Sequence, residues 1–325
     1  MKLFSHWTKT GFVAFVLTLL ATTSYADTFP NKPIRIIVPW AAGGSTDTLA
    51  RVVAQRVTQA IGQVVIVENK PGAAGMIGTE FVAKSSADGY TIGIIELPHA
   101  IAPAVIAKVP YDLMADFTPV AFIGTSPLIF FVGATDKAKS ISDLVSQAKA
   151  SPGTVAIAHS GSGTVSHLAA ELLQAKANVK FNLVPYKGSN PALIDVVSGQ
   201  VSAHPATMAS GIGFLKGGQV NAVAVASTKR LAALPNAPTF GELGYSDYVV
   251  EQWWGFVAPA ATPAPVLDAL RKEFANALKH EMVRERMTTL SVDAGAMPPA
   301  EFKSFVQREI TRWGKVAKEA NVVAQ

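Results

Sequence analysis

The sequence predicts an α/β protein of two lobes joined by two crossing strands, and three observations carry that prediction. Strand-like apolar runs alternate with helical patterns along nearly the whole chain, the signature of a mostly parallel sheet covered by helices. A unit of strand, Gly-rich turn and helix occurs twice in clear form and once in a weaker form. The length, 325 residues, suits two lobes better than one.

The first segment stands outside that fold. Residues 1–26 combine a positive start at Lys2 and Lys9 with an apolar run from Gly11 to Ala21 and small residues, Ser24 and Ala26, at a cleavage position. The run falls short of the roughly 18 residues of a spanning helix. The expectation is a signal peptide cut after Ala26, giving an exported periplasmic chain that begins at Asp27. Losing its two lysines takes the formal charge from +5 to +3. The basic residues are scattered, so no footprint for nucleic acid is expected.

The first unit runs from IRIIV through Pro39, Trp40 and the pair Gly43–Gly44 into a helix with Leu49, Val52, Val53 and Val57 on one face. The second runs from TVAIA through HSGSGT into a helix carrying Val165, Leu168, Ala169, Leu172 and Leu173. The weaker third, FNLVPYKGSNPALIDVVSGQV, offers Ser189 or Asn190 as a cap and Pro191 near the helix start. Ser45 or Thr46 is the expected cap of the first helix, and Ser162 or Thr164 of the second. The chain crosses between lobes at TPVAFIGTSPLIFFVGA and returns at YVVEQWWGFVAPAATPAPV. That divides it into a first part of lobe 1 over residues 27–126, lobe 2 over 127–250, and a return to lobe 1 over 251–325. The last helix sets Phe302, Phe305, Val306, Ile310 and Trp313 on one face, which is expected to pack back on lobe 1.

A helix N-terminus presents unpaired N–H groups and a partial positive charge, so it holds an anion without an arginine. Gly43, Gly44, Gly161 and Gly163 allow close approach of the backbone, and Ser45, Thr46, Ser160, Ser162 and Thr164 add hydroxyl donors. Two such loops facing across a cleft suit a molecule with an acidic group at each end; taken singly, each could equally be a tight turn. Asp47, in the first turn of its helix, is better placed as a brace or cap than as a direct contact. Trp40 supplies an aromatic wall beside the loop, while Trp253 and Trp254 are expected in the core.

Other chemistries lack their motifs. No segment supplies a P-loop or a complete G-x-G-x-x-G. Ser160 and Ser162 lie near His159 and His167, yet the elbow G-x-S-x-G of a hydrolase is missing. No two histidines are spaced H-x-x-x-H and no Cys occurs, so neither a metal nor a cofactor is expected.

The stretches FPNKPIRIIVPWAAGGSTDTLAR, VVIVENKPGAAGMIGTEFVAKSSADGYTIGI, VPYDLMADFTPVAFIG, SGSGTVSHLAAELL, VPYKGSNPALIDVVSGQV, AVASTKRLAALPNAPTFGELGY and WWGFVAPAATPAPV together resemble the substrate-binding proteins of the tripartite tricarboxylate transporter family, also called the Bordetella uptake gene family. The resemblance runs from about Phe29 to Ala320. It implies a two-lobe periplasmic-binding-protein-like clamp with two crossing strands, a non-catalytic monomer that closes on a small carboxylate and hands it to a membrane permease. It places the ligand between Trp40 to Asp47, with Ala41 among them, and Ser160 to Thr164. A ligand sensor feeding a signalling system is the alternative, and a periplasmic hydrolase a more distant one.

Two departures from the family pattern bear on the ligand. After GQV the family commonly carries an acid facing the cleft, where this chain has His204, Pro205 and Ala206. That loss disfavours an amino-bearing ligand and leaves His204 to donate to a second carboxylate. Before His99 the family often has small polar residues, where this chain has Glu96, Leu97 and Pro98. The wall becomes more apolar, with Glu96 expected at the solvent. The resulting expectation is a dicarboxylate with an apolar or aromatic spacer.

Overall fold

A computed structural model describes residues 29–319. The signal segment lies outside the described residues. Two sheets form. The first has strand order β11-β4-β10-β3-β1-β2, built from β1 (Ile34–Val38), β2 (Val65–Asn69), β3 (Thr91–Glu96), β4 (Phe117–Pro127), β10 (Glu251–Pro259) and β11 (Asp293–Ala294). The second has order β7-β6-β8-β5-β9, built from β5 (Ile129–Gly133), β6 (Ala156–His159), β7 (Asn182–Pro185), β8 (Ala203–Ala206) and β9 (Val220–Val225).

β1 pairs in parallel with β2 and β3, and β6 with β7 and β8. Apart from the short edge strand β11, antiparallel to β4, the exceptions sit where the chain changes lobes. β5, the strand on which it arrives in the second sheet, is antiparallel to β8 and β9. β10, the strand on which it returns, is antiparallel to β3 and β4. A strand arriving from the other lobe enters its new sheet from the opposite end, so it cannot share the direction set by the local strand–helix–strand units.

Side chains alternate across each strand with period two. Ile34, Ile36 and Val38 pack with Leu49, Val53 and Val57 of α1 (Ser45–Ile61), while Ile37 joins a different cluster on the other face. β10 divides its neighbouring tryptophans in the same way: Trp254 and Phe256 face α1 and Phe274, whereas Trp253 faces the C-terminal helix. Both tryptophans are core residues, 1% and 0% exposed. On the Trp253 face the backbone at Gly255 leaves room for the Phe302 ring, whose Cζ would stand 2.1 Å from any Cβ placed there.

That ring belongs to α10 (Pro299–Glu319), which lies on the first sheet through Phe302, Val306 and Trp313. Phe305 and Ile310 are only partly buried at the margin of the contact. Glu309 fastens the helix, accepting from Trp253 Nε1 at 3.1 Å and Trp313 Nε1 at 3.0 Å.

Three imidazoles are buried. His99 takes the Glu96 backbone N–H on Nδ1 at 3.0 Å, so its Nε2–H faces Thr79 Oγ1 at 2.8 Å. His204 donates from Nδ1 to the Ala158 carbonyl at 2.9 Å. His159 stacks on His167 with ring centroids 4.4 Å apart. Desolvation is the main cause that lowers all three pKa values to about 4; for His159 the neighbouring His167 adds to it.

Two predictions follow from this packing. Gly255→Ala should cost about 1–3 kcal/mol by overpacking against Phe302, read as a lower urea midpoint; an unchanged midpoint would mean that α10 is not seated as described. In the unfolded chain the three imidazoles take up protons near pH 6.5, but inside the fold only near 4, so stability is lost as pH falls through that interval. Burial raises the carboxyls of Glu96 and Glu251 and opposes this, two acids against three imidazoles. The melting temperature of the unliganded chain should therefore be lower at pH 5 than at pH 7, and a flat or rising profile toward acid would contradict the neutral buried rings.

Candidate functional site

Five helices begin around one cavity between the sheets: α1, α3 (Leu97–Val105), α5 (Val165–Ala177), α6 (Ser189–Ser198) and α7 (Met208–Lys216). Here α2 is Met76–Ala83 and α4 is Ile141–Ala150. The N-caps of α1, α5, α6 and α7 are Gly44, Thr164, Gly188 and Thr207, and none makes a side-chain capping hydrogen bond. The expected capping residues Ser45, Thr46, Ser189 and Asn190 lie inside their helices. The first-turn amides are thus left to whatever occupies the cleft, together with four sets of aligned peptide dipoles.

Lobe 1 contributes Trp40, Ala41, Gly44, Ser45, Thr46 and Pro98 to the wall, and lobe 2 contributes Ser160, Thr164, Pro205 and Ala206. The second loop is a small hydroxyl network. Ser160 Oγ lies 2.8 Å from Ser166 Oγ and 3.2 Å from Thr164 Oγ1, and Thr164 Oγ1 donates to the Gly161 carbonyl at 2.7 Å. These contacts hold the turn open and occupy the Thr164 hydroxyl, which is why it does not cap α5.

Seven of the residues expected at the ligand stand elsewhere. Gly43 and Asp47 are behind the first loop. Asp47 is 4% exposed and accepts from the Gly43 N–H at 3.0 Å, from Arg51 at 2.9 and 3.0 Å and from Asn69 Nδ2 at 2.9 Å. Burial raises its pKa, but the hydrogen bonds from Arg51, Gly43 and Asn69 outweigh that and hold the carboxyl below its usual range. Gly43 turns at φ 85°, a conformation that requires glycine and lets its N–H reach that carboxylate.

Gly161, Ser162 and Gly163 line a second hollow, which shares Trp40, Ala41 and Ser160 with the first and includes Val105, His167 and Tyr186. The lobes nearly touch there: a Cβ on Gly163 would stand 2.7 Å from Val105 Cγ2. His99 and His204, 1% and 0% exposed, lie behind the wall. His204 spends its Nδ1 proton on Ala158, so in its neutral form it cannot donate to a ligand carboxylate through Nε2.

Glu96 reverses its expectation most sharply. It is 3% exposed and lines the cavity, with Oε2 accepting from Thr46 Oγ1 at 2.6 Å and from Gln252 Nε2 at 2.7 Å. Thr46 Oγ1 in turn accepts from Trp254 Nε1 at 3.1 Å. Burial pushes the Glu96 carboxyl up to about 7 against the pull of those donors. Among the described residues that line the cavity there is no Lys, Arg or His, and Glu96 is the one carboxylic acid.

Sequence reasoning missed Gln252, Thr207, Ser210 and the start of α6 as parts of this wall. The α6 signal was available, since Gly188, Ser189 and Asn190 repeat the strand, glycine, helix pattern of the other loops. Gln252 carried no signal: it sits in an apolar strand, and only the β10–β3 register, with Trp254 opposite Glu96, brings it to the acid.

Residues 49–322 match the description tripartite tricarboxylate transporter family receptor. Protein BugT of Bordetella pertussis is 36% identical over 302 residues, 92% of this chain and 93% of its own length. The periplasmic binding protein BugD superposes with a TM-score of 0.87 at 32% identity, covering 91% of this chain and 100% of that one. An R. palustris protein solved with adipate, Rpa4515, superposes at 0.88 with 32% identity and the same coverage. With a two-lobe fold, a cleft ringed by uncapped helix starts and these relatives, the chain belongs to the tripartite tricarboxylate transporter receptor family, a class of periplasmic solute-binding receptors rather than enzymes.

Proposed function

We propose that this receptor captures a small dicarboxylate with an apolar or aromatic spacer, after export and removal of residues 1–26, and delivers it as a monomer to a membrane permease. The supporting observation is the convergence of four helix N-termini without side-chain caps on one cavity that has no basic side chain in its described wall. One carboxylate fits the start of α1 at Gly44 and Ser45, and the other the starts of α5 and α6. Each N–H to a carboxylate is a charge-assisted bond worth about 1.5–3 kcal/mol, so a few donors at each end suffice for micromolar affinity, roughly 8 kcal/mol.

Between those ends Trp40, Pro98, Leu128, Pro205 and Ala206 form apolar walls that suit a spacer without hydroxyls. The relative solved with adipate, a dicarboxylate with a methylene spacer, agrees with that shape. Ligand contact with both lobes favours the closed arrangement over any open one. Delivery to a permease rests on the family alone.

A thermal-shift screen of residues 27–325 against aliphatic and aromatic mono-, di- and tricarboxylates tests the reading. A dicarboxylate at 100 times its Kd should add about 2.7 kcal/mol, a rise of roughly 4 °C for a chain of this size. A larger shift with citrate than with any dicarboxylate would refute the spacer, and no shift from any carboxylate would remove the anion reading. Gly163→Ala tests closure: its Cβ meets Val105 across the cleft, so the ligand-induced shift should shrink by more than the unliganded melting temperature does. An equal ligand-induced shift in the variant would show that capture does not require this approach of the lobes.

A further inference from the structure

We infer that Glu96 and Gln252 form a donor-seeking subsite inside the cleft, one that takes an ammonium group, so that the captured carboxylate is an amino-bearing one. The inference rests on reading the cavity as the ligand cleft.

The two side chains are locked together on one face of the first sheet. Gln252 Nε2 is spent on Glu96 Oε2 at 2.7 Å, which turns the amide so that Gln252 Oε1, buried and 4% exposed as a residue, has no hydrogen-bond partner. Thr46 Oγ1 adds a second donor to the same Glu96 oxygen at 2.6 Å. With Oε2 saturated, and with the carboxyl also taking the His99 backbone N–H at the start of α3 and facing the Trp40 indole, what this corner still offers a ligand is the charge of Glu96 and the free amide oxygen of Gln252.

The chemical class follows from what each candidate group would leave unpaired. A second carboxylate against this corner would set acceptor against acceptor, with at most one proton to share among them. An apolar group would leave the amide oxygen and the acid buried without compensation. An ammonium has three donors and no acceptor, and it pairs the charge of Glu96 while reaching Gln252 Oε1. The helix starts of α5 and α6 on the opposite lobe, and that of α1 beside Glu96, remain for carboxylates, so Glu96 adds one cation-seeking point to a cleft otherwise ringed by amides.

The absence of an acid after Gly199–Gln200–Val201 made an amino ligand look unfavourable, because Glu96 was expected at the solvent. Its burial in the wall supplies that acid from β3 instead.

Titration calorimetry with matched pairs tests this: succinate against aspartate, and adipate against 2-aminoadipate, with wild-type receptor, Glu96→Gln and Gln252→Met. The wild type should bind the amino member of at least one pair about tenfold or more tighter than the plain diacid. Glu96→Gln, nearly isosteric, should lose or invert that preference while still binding the diacid, and Gln252→Met should reduce it. Plain diacids binding as well as or better than their amino counterparts in the wild type would overturn the subsite and leave the carboxylate cleft standing. A preference for the amino member that survives both substitutions would place the ammonium elsewhere and overturn it too. If no member of either pair binds, this inference falls, while the carboxylate reading is decided separately by the wider thermal-shift screen.

Discussion

The structure depends on a junction of three backbone hydrogen bonds where the chain changes lobes. Leu128, between β4 and β5, donates to the Val250 carbonyl at 3.0 Å and accepts from the Ala226 N–H at 2.8 Å, and Val250 donates to Ala226 at 3.0 Å. Both crossings therefore run side by side as one ribbon. Because Leu128 itself lines the cavity, the ribbon is also the floor of the cleft. Two separate connections would let the lobes drift; a hydrogen-bonded pair leaves bending about the ribbon as the soft coordinate, which suits a clamp.

From that floor the sheets point their helix starts inward. In the parallel units each strand ends at the cleft and the following helix begins there, so α1, α5, α6 and α7 meet around the cavity as a consequence of topology. Sequence then refuses the usual caps. Gly44 and Gly188 have no side chain to offer, and the Thr164 oxygen accepts from Ser160 Oγ while its proton goes to the Gly161 carbonyl. Asp47, which could have competed as an anion, is turned away by Gly43, Arg51 and Asn69 and stiffens the loop from behind.

This accounts for what could be read in the chain beforehand. The glycine loops were legible because a strand running into glycines and hydroxyls is a local pattern, and its meaning at a helix N-terminus is general. The role of Asp47 as a brace was legible from its place in the first turn. The positions of His99, His204 and Glu96 were not, because burial at the end of β3 or within β8 is set by the neighbouring strands and by α10 and α5, far away in sequence. Gln252 is the clearest case: its neighbours in an apolar strand announce no binding role, and its partner Glu96 is 156 residues away.

The polarity of the cleft comes from the same long-range register. β10 runs antiparallel to β3 because it returns from the other lobe, and that direction sets Trp254 opposite Glu96 with Gln252 on the same face. Trp254 fixes the Thr46 hydroxyl by donating to its oxygen, which frees the hydroxyl proton for Glu96. The acid is thus held by a crossing strand and a helix start, both of them parts of the hinge and the anion loop. A carboxyl placed there without Thr46 and Gln252 would be an uncompensated buried charge. With them it is stabilised enough to remain in the wall, so the element that joins the lobes also places the one carboxylic acid among the described residues that line the cavity.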